Sequence, residues 1–200
     1  MAPVRVSLDY LCTGAVEGLL VGDRRFSSAI RKDARSGEVR LGKLGLEGDE
    51  QADPSAHGGL NKAVYALPVQ HRVWWHERRA KHGIDSQDSA LPEGFVGENI
   101  GIRGMDGPLE EASVFVGDEL HFANAVLRVT EPRTPCFKFN AVMGYRQASR
   151  DMVLSARSGF YLAVAREGHL QAGEVGELRP GPRALSIAGA LHARRYKYLR

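Results

Sequence analysis

The expected fold class follows from the stretch between residues 112 and 130, which reads ASVFVGDELHFANAVLRVT. Three short strand-like runs occupy it, at residues 114–116, 119–122 and 125–130. The pairs Gly117-Asp118 and Ala123-Asn124 separate these runs, and both pairs suit tight turns. Short strands at this spacing predict an antiparallel β-barrel or sandwich.

The last of these runs leads into residues 131–140, which read EPRTPCFKFN and contain one of only two cysteines. Thr134-Pro135 is typical of a helix start, because threonine can cap free N–H groups and proline suits the first helical position. Cys136 is then predicted in the first turn. There the helix dipole, Arg133 and Lys138 should lower the thiol pKa below its usual value of about 8.5. The alternative for Cys136 is a small buried apolar residue.

Length and composition indicate a single main domain. A chain of 200 residues with 43% hydrophobic content can form one substantial core. We expect a barrel domain over residues 1–182, with peripheral helices around it. The sequence Pro180-Gly181-Pro182 then breaks regular structure, and a short C-terminal helical tail is expected over residues 183–200.

Charge and cysteine content exclude several classes of protein. The formal charge of +3, from 27 basic and 24 acidic residues without a basic block, does not indicate nucleic-acid binding. Cys12 and Cys136 form neither a disulfide framework nor a CxxC metal site, and we interpret Cys12 as structural. No apolar run approaches the roughly 18 residues of a membrane span, so we expect no membrane association. A reducing cytoplasm fits these features best.

A second informative stretch runs from residue 44 to residue 62 and is rich in glycine and polar side chains. It begins LGLEGDEQAD and continues through His57, Gly58 and Gly59 to Lys62. Glycines allow the backbone to approach a ligand closely and to present N–H groups to an anion. The alternative is a turn-rich loop whose polar side chains satisfy their own backbone. The P-loop pattern and the GxGxxG fingerprint are both missing, so this is not a standard nucleotide site.

Three motifs together resemble the MOSC domain, named after the C-terminal domain of molybdenum cofactor sulfurases. They are residues 45–53 with 57–59, the run Gly97-Glu98-Asn99, and residues 132–138. Their order is most similar to the YiiM-like branch, and the resemblance covers about residues 35 to 180. It implies a mostly-β antiparallel barrel that binds the molybdopterin form of the molybdenum cofactor. It also implies reduction of N-hydroxylated bases such as 6-hydroxylaminopurine.

The resemblance assigns roles to particular residues. It implies that Cys136 is the molybdenum ligand, because molybdenum accepts soft thiolates. Either His57 or Asp49 is expected to move protons, although both also fit ordinary loop roles. The residues expected to bind the rest of the cofactor are Gly58, Gly59, Lys62, Asn99, Arg133, Lys138 and Asn140. For these residues to act together, the loop at 45–62 must meet the cysteine segment at the mouth of the barrel.

The source of electrons and the exact role of the cysteine remain open at this point. No dinucleotide fingerprint or iron–sulfur cysteines are present, so an external flavoprotein or ferredoxin-like donor is expected for a small N-hydroxylated substrate. One alternative is a sulfur carrier with a persulfide on Cys136 and no cofactor. Another is a module that binds and presents the cofactor without turnover. YiiM-like proteins usually carry a longer C-terminal extension, whereas only about 18 residues follow Pro182 here.

Overall fold

The computed structural model describes residues 2–53, 58–84 and 87–194. Thirteen strands are found in them: β1 (Val4–Thr13), β2 (Glu17–Val21), β3 (Arg24–Ser28), β4 (Asp33–Ala34), β5 (Glu38–Gly42), β6 (Gly45–Leu46), β7 (Val64–Pro68), β8 (Ile100–Gly104), β9 (Glu119–His121), β10 (Val126–Pro132), β11 (Phe160–Arg166), β12 (Gly168–Gln171) and β13 (Val175–Arg179). The α-helices of the same residues are α1 (His71–Lys81), α2 (Phe137–Met143), α3 (Ala148–Ser155) and α4 (Ile187–Ala193). Residues 60–62 form a short 3₁₀ helix.

Seven strands close into a barrel in the order β13-β9-β10-β11-β7-β8-β1, and β1 pairs back onto β13. All of these pairings are antiparallel except the one between β7 and β8, which is parallel. Closure removes the open sheet edges that would otherwise expose unpaired backbone groups. The mostly-β barrel with peripheral helices is therefore confirmed.

Two apolar cores hold this arrangement together. Inward-facing side chains of the barrel strands, such as Leu8 and Leu127, form the larger core inside the barrel. The second core lies between the barrel wall and the helices, where the ring of Trp75 on α1 packs against Phe139 on α2 at 5.3 Å. This second core fixes the first turn of α2, and with it the segment that contains the cysteine. Within the described ranges, no helix has the length and apolar character needed to cross a membrane.

Several element predictions need correction. The run at 114–116 is not a strand; Phe115 makes only an isolated bridge to Ser186. The charged, weakly periodic sequence at 22–37 predicts a solvated connection, but β3 lies within it and forms a hairpin with β2. The runs at 160–165 and 173–178 predict one closing hairpin, but β11 pairs with β7 and β10 while β13 pairs with β1 and β9. Local patterns predict strands well, but barrel closure selects their partners.

The C-terminal helix is shorter than the predicted tail. It occupies Ile187–Ala193, where Ser186 caps its start by accepting a hydrogen bond from the Gly189 N–H. Its buried residues, Ile187 and Leu191 among them, pack it against the barrel. Residues 195–200 of the predicted tail lie outside the described residues, and the division at residue 182 stays a prediction.

Candidate functional site

A cavity of about 660 Å³, including its part open to solvent, lies where the connections entering β7 and β8 meet the connection leaving β10. The loop at 49–53 forms one wall, and the segment from Ser28 to Lys32 forms another. Arg133, Cys136 and Lys138 line the same cavity. The structure thus brings part of the glycine-rich stretch and the cysteine segment to one cavity.

Cys136 lies immediately before α2, and not within the first turn of the helix as predicted. The helix begins at Phe137, and Cys136 is the N-cap residue with an extended backbone, φ −133° and ψ 173°. The prediction that Thr134 caps a helix starting at Pro135 is therefore wrong. The chain stays extended at Cys136 and turns helical only at Phe137. The half-buried thiol lines the cavity.

Arg133 is the most deeply buried cation of the cavity, with 4% of its surface exposed. Its guanidinium lies over the rings of Tyr65 and Phe139, 5.3 Å and 4.7 Å from their centroids. Nη1 also donates to the Met152 sulfur at 3.7 Å. In the described ranges, no carboxylate forms an ion pair with this guanidinium. A buried charge is costly without a partner, so this position favours an anionic ligand.

Two lysines add positive charge to the same cavity. Lys138 Nζ donates to the Ser27 carbonyl oxygen at 2.6 Å and ties α2 to the hairpin of β2 and β3. Lys62 Nζ lies 3.8 Å from a Glu131 oxygen and 5.8 Å from the centroid of the Tyr161 ring. Both side chains line the cavity. Together with Arg133 they contribute three cationic side chains to the lining of the cavity.

Asp49 lines the cavity as part of an ion pair. Its Oδ1 atom accepts from Lys32 Nζ and, at 2.9 Å, from the Gly14 N–H, while both charged side chains are only 6% exposed. The ion pair joins the wall at 49–53 to the segment from Ser28 to Lys32, and the Gly14 N–H joins it to the end of β1. Whether Asp49 also moves protons stays a prediction. His57, the other predicted proton carrier, lies outside the described residues.

Of the remaining predicted cofactor residues, one lines the cavity and three do not. Asn99 lines the cavity, but its amide accepts from the Tyr65 N–H at 3.0 Å and donates to the Cys12 carbonyl at 3.3 Å. Gly58, Gly59 and Asn140 are not among the described residues that line the cavity. The Gly59 N–H donates to Gln51, and Asn140 accepts from the Ser149 N–H at the start of α3. The cofactor roles of all four stay predictions.

Sequence reasoning missed several cavity residues, among them Lys32, Tyr65 and Tyr161. Lys32 lies in a charged connection that gave no sign of a buried partner, and Tyr65 and Tyr161 look like ordinary strand residues. Burial is the main cause that raises the pKa of both tyrosines, to about 12 for Tyr161, so both phenols keep their protons near neutral pH. The Tyr65 hydroxyl donates to the Ser158 carbonyl at 2.8 Å. The rings therefore supply a neutral, aromatic floor.

The two cysteines differ sharply in environment. Cys12 is fully buried, and this burial, reinforced by the charge of Glu98, raises its thiol pKa to about 12. We therefore predict that iodoacetamide modifies Cys136 of the native protein at least about tenfold faster than Cys12 near pH 7.5. Peptide mass spectrometry over a time course measures both rates. Faster modification of Cys12 would contradict the assignment of Cys136 as the reactive thiol.

The fold and the site define a class: a closed β-barrel in which a thiol and a buried guanidinium face one cavity. A family model described as the MOSC domain matches residues 53–176. The chain belongs to the MOSC domain family.

Proteins of known sequence and structure show the same relationship. The protein YiiM of Escherichia coli (strain K12) is 32% identical over 145 residues, which cover 72% of this chain and 61% of YiiM. A protein named "Reductase" of Gibberella moniliformis is 31% identical over 183 residues, covering 89% of this chain and 30% of that protein. The crystal structure of YiiM from Geobacillus stearothermophilus matches with a TM-score of 0.71 and 26% identity, over 96% of this chain and 85% of that one. The chain thus spans less than two thirds of the length of the Escherichia coli YiiM and of the Gibberella moniliformis protein.

Proposed function

We propose that this protein binds the molybdopterin form of the molybdenum cofactor in the cavity and uses it to reduce small N-hydroxylated compounds. One observation carries the proposal: a half-buried thiol, Cys136, and a buried guanidinium without an ion-pair partner in the described residues, Arg133, face the same cavity. A thiolate suits a soft metal centre, and a buried cation suits the anionic tail of its cofactor.

The residues present fit this cofactor. Cys136 offers a soft sulfur donor, and Arg133, Lys62 and Lys138 offer charged donors for a phosphate. The neutral rings of Tyr65 and Tyr161 offer apolar surface for a flat pterin. The described residues contain no group of three or more His, Cys, Asp or Glu side chains that could hold a metal ion. Cys136 is accordingly the residue to which we assign the metal.

In this proposal the cofactor and the protein each supply part of the chemistry. Bound molybdenum would supply a two-electron centre able to accept an oxygen atom from the substrate. The overall reaction converts an N–OH group, two electrons and two protons into an N–H group and water. The protein orients the substrate against this centre and keeps cations near the cofactor's anionic groups. Asp49, at the wall of the cavity and paired with Lys32, is our candidate for handling protons at the substrate.

The electrons come from a partner in this proposal. The fungal relative named as a reductase is more than three times as long as the part it shares with this chain. We infer that the shared part is one component of a redox system, and that here an external flavoprotein or ferredoxin-like protein reduces the metal. Neither Cys12 nor Cys136 forms a disulfide, which fits our placement of the protein in the cytoplasm.

The reaction can be tested with protein purified from cells that make the cofactor. We expect the protein, reduced chemically with dithionite-treated methyl viologen, to convert 6-hydroxylaminopurine to adenine. The same protein from cells unable to make the cofactor should give no product above the reagent background. Chromatography of the purines measures conversion. Equal conversion by both preparations would overturn the proposal, and labile sulfur in place of molybdenum would favour the sulfur-carrier alternative.

A further inference from the structure

A buried polar cluster lies outside the cavity and has no role in the proposed chemistry. His71, the first residue of α1, is fully buried, although its place on a polar-looking helix predicts exposure. Its Nε2 atom lies 2.9 Å from both oxygens of Glu111, which is itself 3% exposed. Arg157 Nη1 lies 3.2 Å from His71 Nδ1. A guanidinium has donors only, so Nδ1 must accept and the ring must donate from Nε2 to Glu111.

This cluster fixes the backbone of segment 157–159. Glu111 Oε1 accepts from the Gly159 N–H at 2.7 Å, and Trp75 Nε1 donates to the Arg157 carbonyl at 3.2 Å. Gly159 has a φ of +62°, and a Cβ there would lie 2.3 Å from the Ala66 carbonyl oxygen. The segment therefore sits tightly against β7 in a backbone conformation suited to glycine.

The other side of the same segment holds two residues of the cavity. The Ser158 carbonyl accepts from the Tyr65 hydroxyl at 2.8 Å, and the Gly159 carbonyl accepts from the backbone N–H of Arg133 at 3.3 Å. Tyr65 in turn lies beneath the Arg133 guanidinium. Arg133 and its aromatic support are thus both bonded to segment 157–159, which is bonded to Glu111 and, through it, to His71.

We propose that the buried His71–Glu111 pair is a positioning device for the anion site of the cavity. The pair fixes segment 157–159, and the segment holds the Arg133 backbone and the Tyr65 hydroxyl, so that the Tyr65 ring supports the Arg133 guanidinium where a phosphate binds. Neither His71 nor Glu111 touches the ligand. The inference rests on the proposed function only in taking the cavity as an anion site. An anion site loses affinity when its donors are loosely held, so the donors must be held in position before the anion binds.

The test uses inorganic phosphate as the probe and protein from cells unable to make the cofactor. His71→Leu removes both ring hydrogen bonds, whereas His71→Gln keeps an amide N–H for Glu111 and a carbonyl for Arg157. We expect His71→Leu to weaken phosphate binding about tenfold and His71→Gln to stay within about twofold of the native Kd, both measured by calorimetry. If His71→Leu does not fold, Arg157→Met removes one of the two bonds, and we expect it to weaken binding about threefold.

A matched control separates positioning from general loosening. Asp118 is a fully buried carboxylate that accepts from Arg183 and from the Phe115 and Gly181 N–H groups. Asp118→Asn should lower the melting temperature and leave the phosphate Kd unchanged. Equal weakening by Asp118→Asn and His71→Leu, an unchanged Kd in a folded His71→Leu or Arg157→Met, or a His71→Gln Kd as weak as that of His71→Leu would overturn the positioning role.

One further variant keeps the two proposals distinguishable. Arg133→Met removes the guanidinium that the cavity offers to an anion. If phosphate binding is unchanged in this variant, the anion site itself is wrong and the proposed function fails with it. If Arg133→Met weakens binding while His71→Leu does not, the anion site stands and only the positioning inference fails.

Discussion

Replacing Cys136 by serine should abolish molybdenum retention while leaving the barrel folded. A serine oxygen is a hard and weakly acidic donor, whereas molybdenum favours the soft thiolate that Cys136 supplies, so we expect bound molybdenum to fall below about a tenth of the native level. Cys136 is half-buried at the start of a helix and makes no side-chain cap. The substitution should therefore shift the melting temperature little, and reductase turnover should be lost with the metal.

Cys12→Ala is the matched control for this change. It removes the second thiol of the chain, which is fully buried and is not among the described residues that line the cavity. Elemental analysis of the three proteins purified side by side gives molybdenum per chain. We expect Cys12→Ala to match the native protein. Native-level molybdenum in Cys136→Ser would contradict the assignment of the metal ligand.

Replacing Arg133 by methionine should weaken cofactor retention without harming the fold. Methionine keeps an apolar stem against the Tyr65 and Phe139 rings and removes the buried charge. The loss of one charged hydrogen-bond donor should cost about 1.5 to 3 kcal/mol of binding, or roughly 10- to 150-fold in affinity. Because a buried guanidinium without a carboxylate partner in the described part of the chain destabilises the folded protein, the melting temperature should stay the same or rise.

Arg103→Met is the control for a general charge effect. It removes one positive charge from an exposed ion pair with Asp9 on the barrel wall, outside the lining of the cavity. Pterin released from each variant after a fixed period of dialysis measures retention. Equal retention by Arg133→Met and the native protein would show that the cavity's buried cation does not hold the cofactor.

Short-range patterns predicted the strands better than their partners. The runs at 119–122 and 125–130 correspond to β9 and β10, and the strict alternation of residues 4–11, which predicts a half-buried strand, corresponds to β1. Alternation sets which side chains face inward, but it carries no information about a strand's distant neighbour. The parallel contact of β7 with β8 and the closure of β13 onto β1 join residues far apart in sequence, and both were missed.

The candidate site could also be predicted only in part. Cys136 and its flanking cations could be selected because their chemistry is local to one segment, and the structure brings them to one cavity with Asp49 and Lys62. The partners of these residues could not be foreseen. The ion pair of Lys32 with Asp49 and the burial of His71 both depend on contacts between distant parts of the chain.

The central claim is that Cys136 binds the molybdenum of a pterin cofactor in this cavity. X-ray absorption at the molybdenum edge of the native protein, purified from cofactor-competent cells, tests it most directly. We predict a sulfur shell with one neighbour more than the two that a pterin dithiolene supplies. A shell of only two sulfurs, or a protein purified without molybdenum, would contradict the claim.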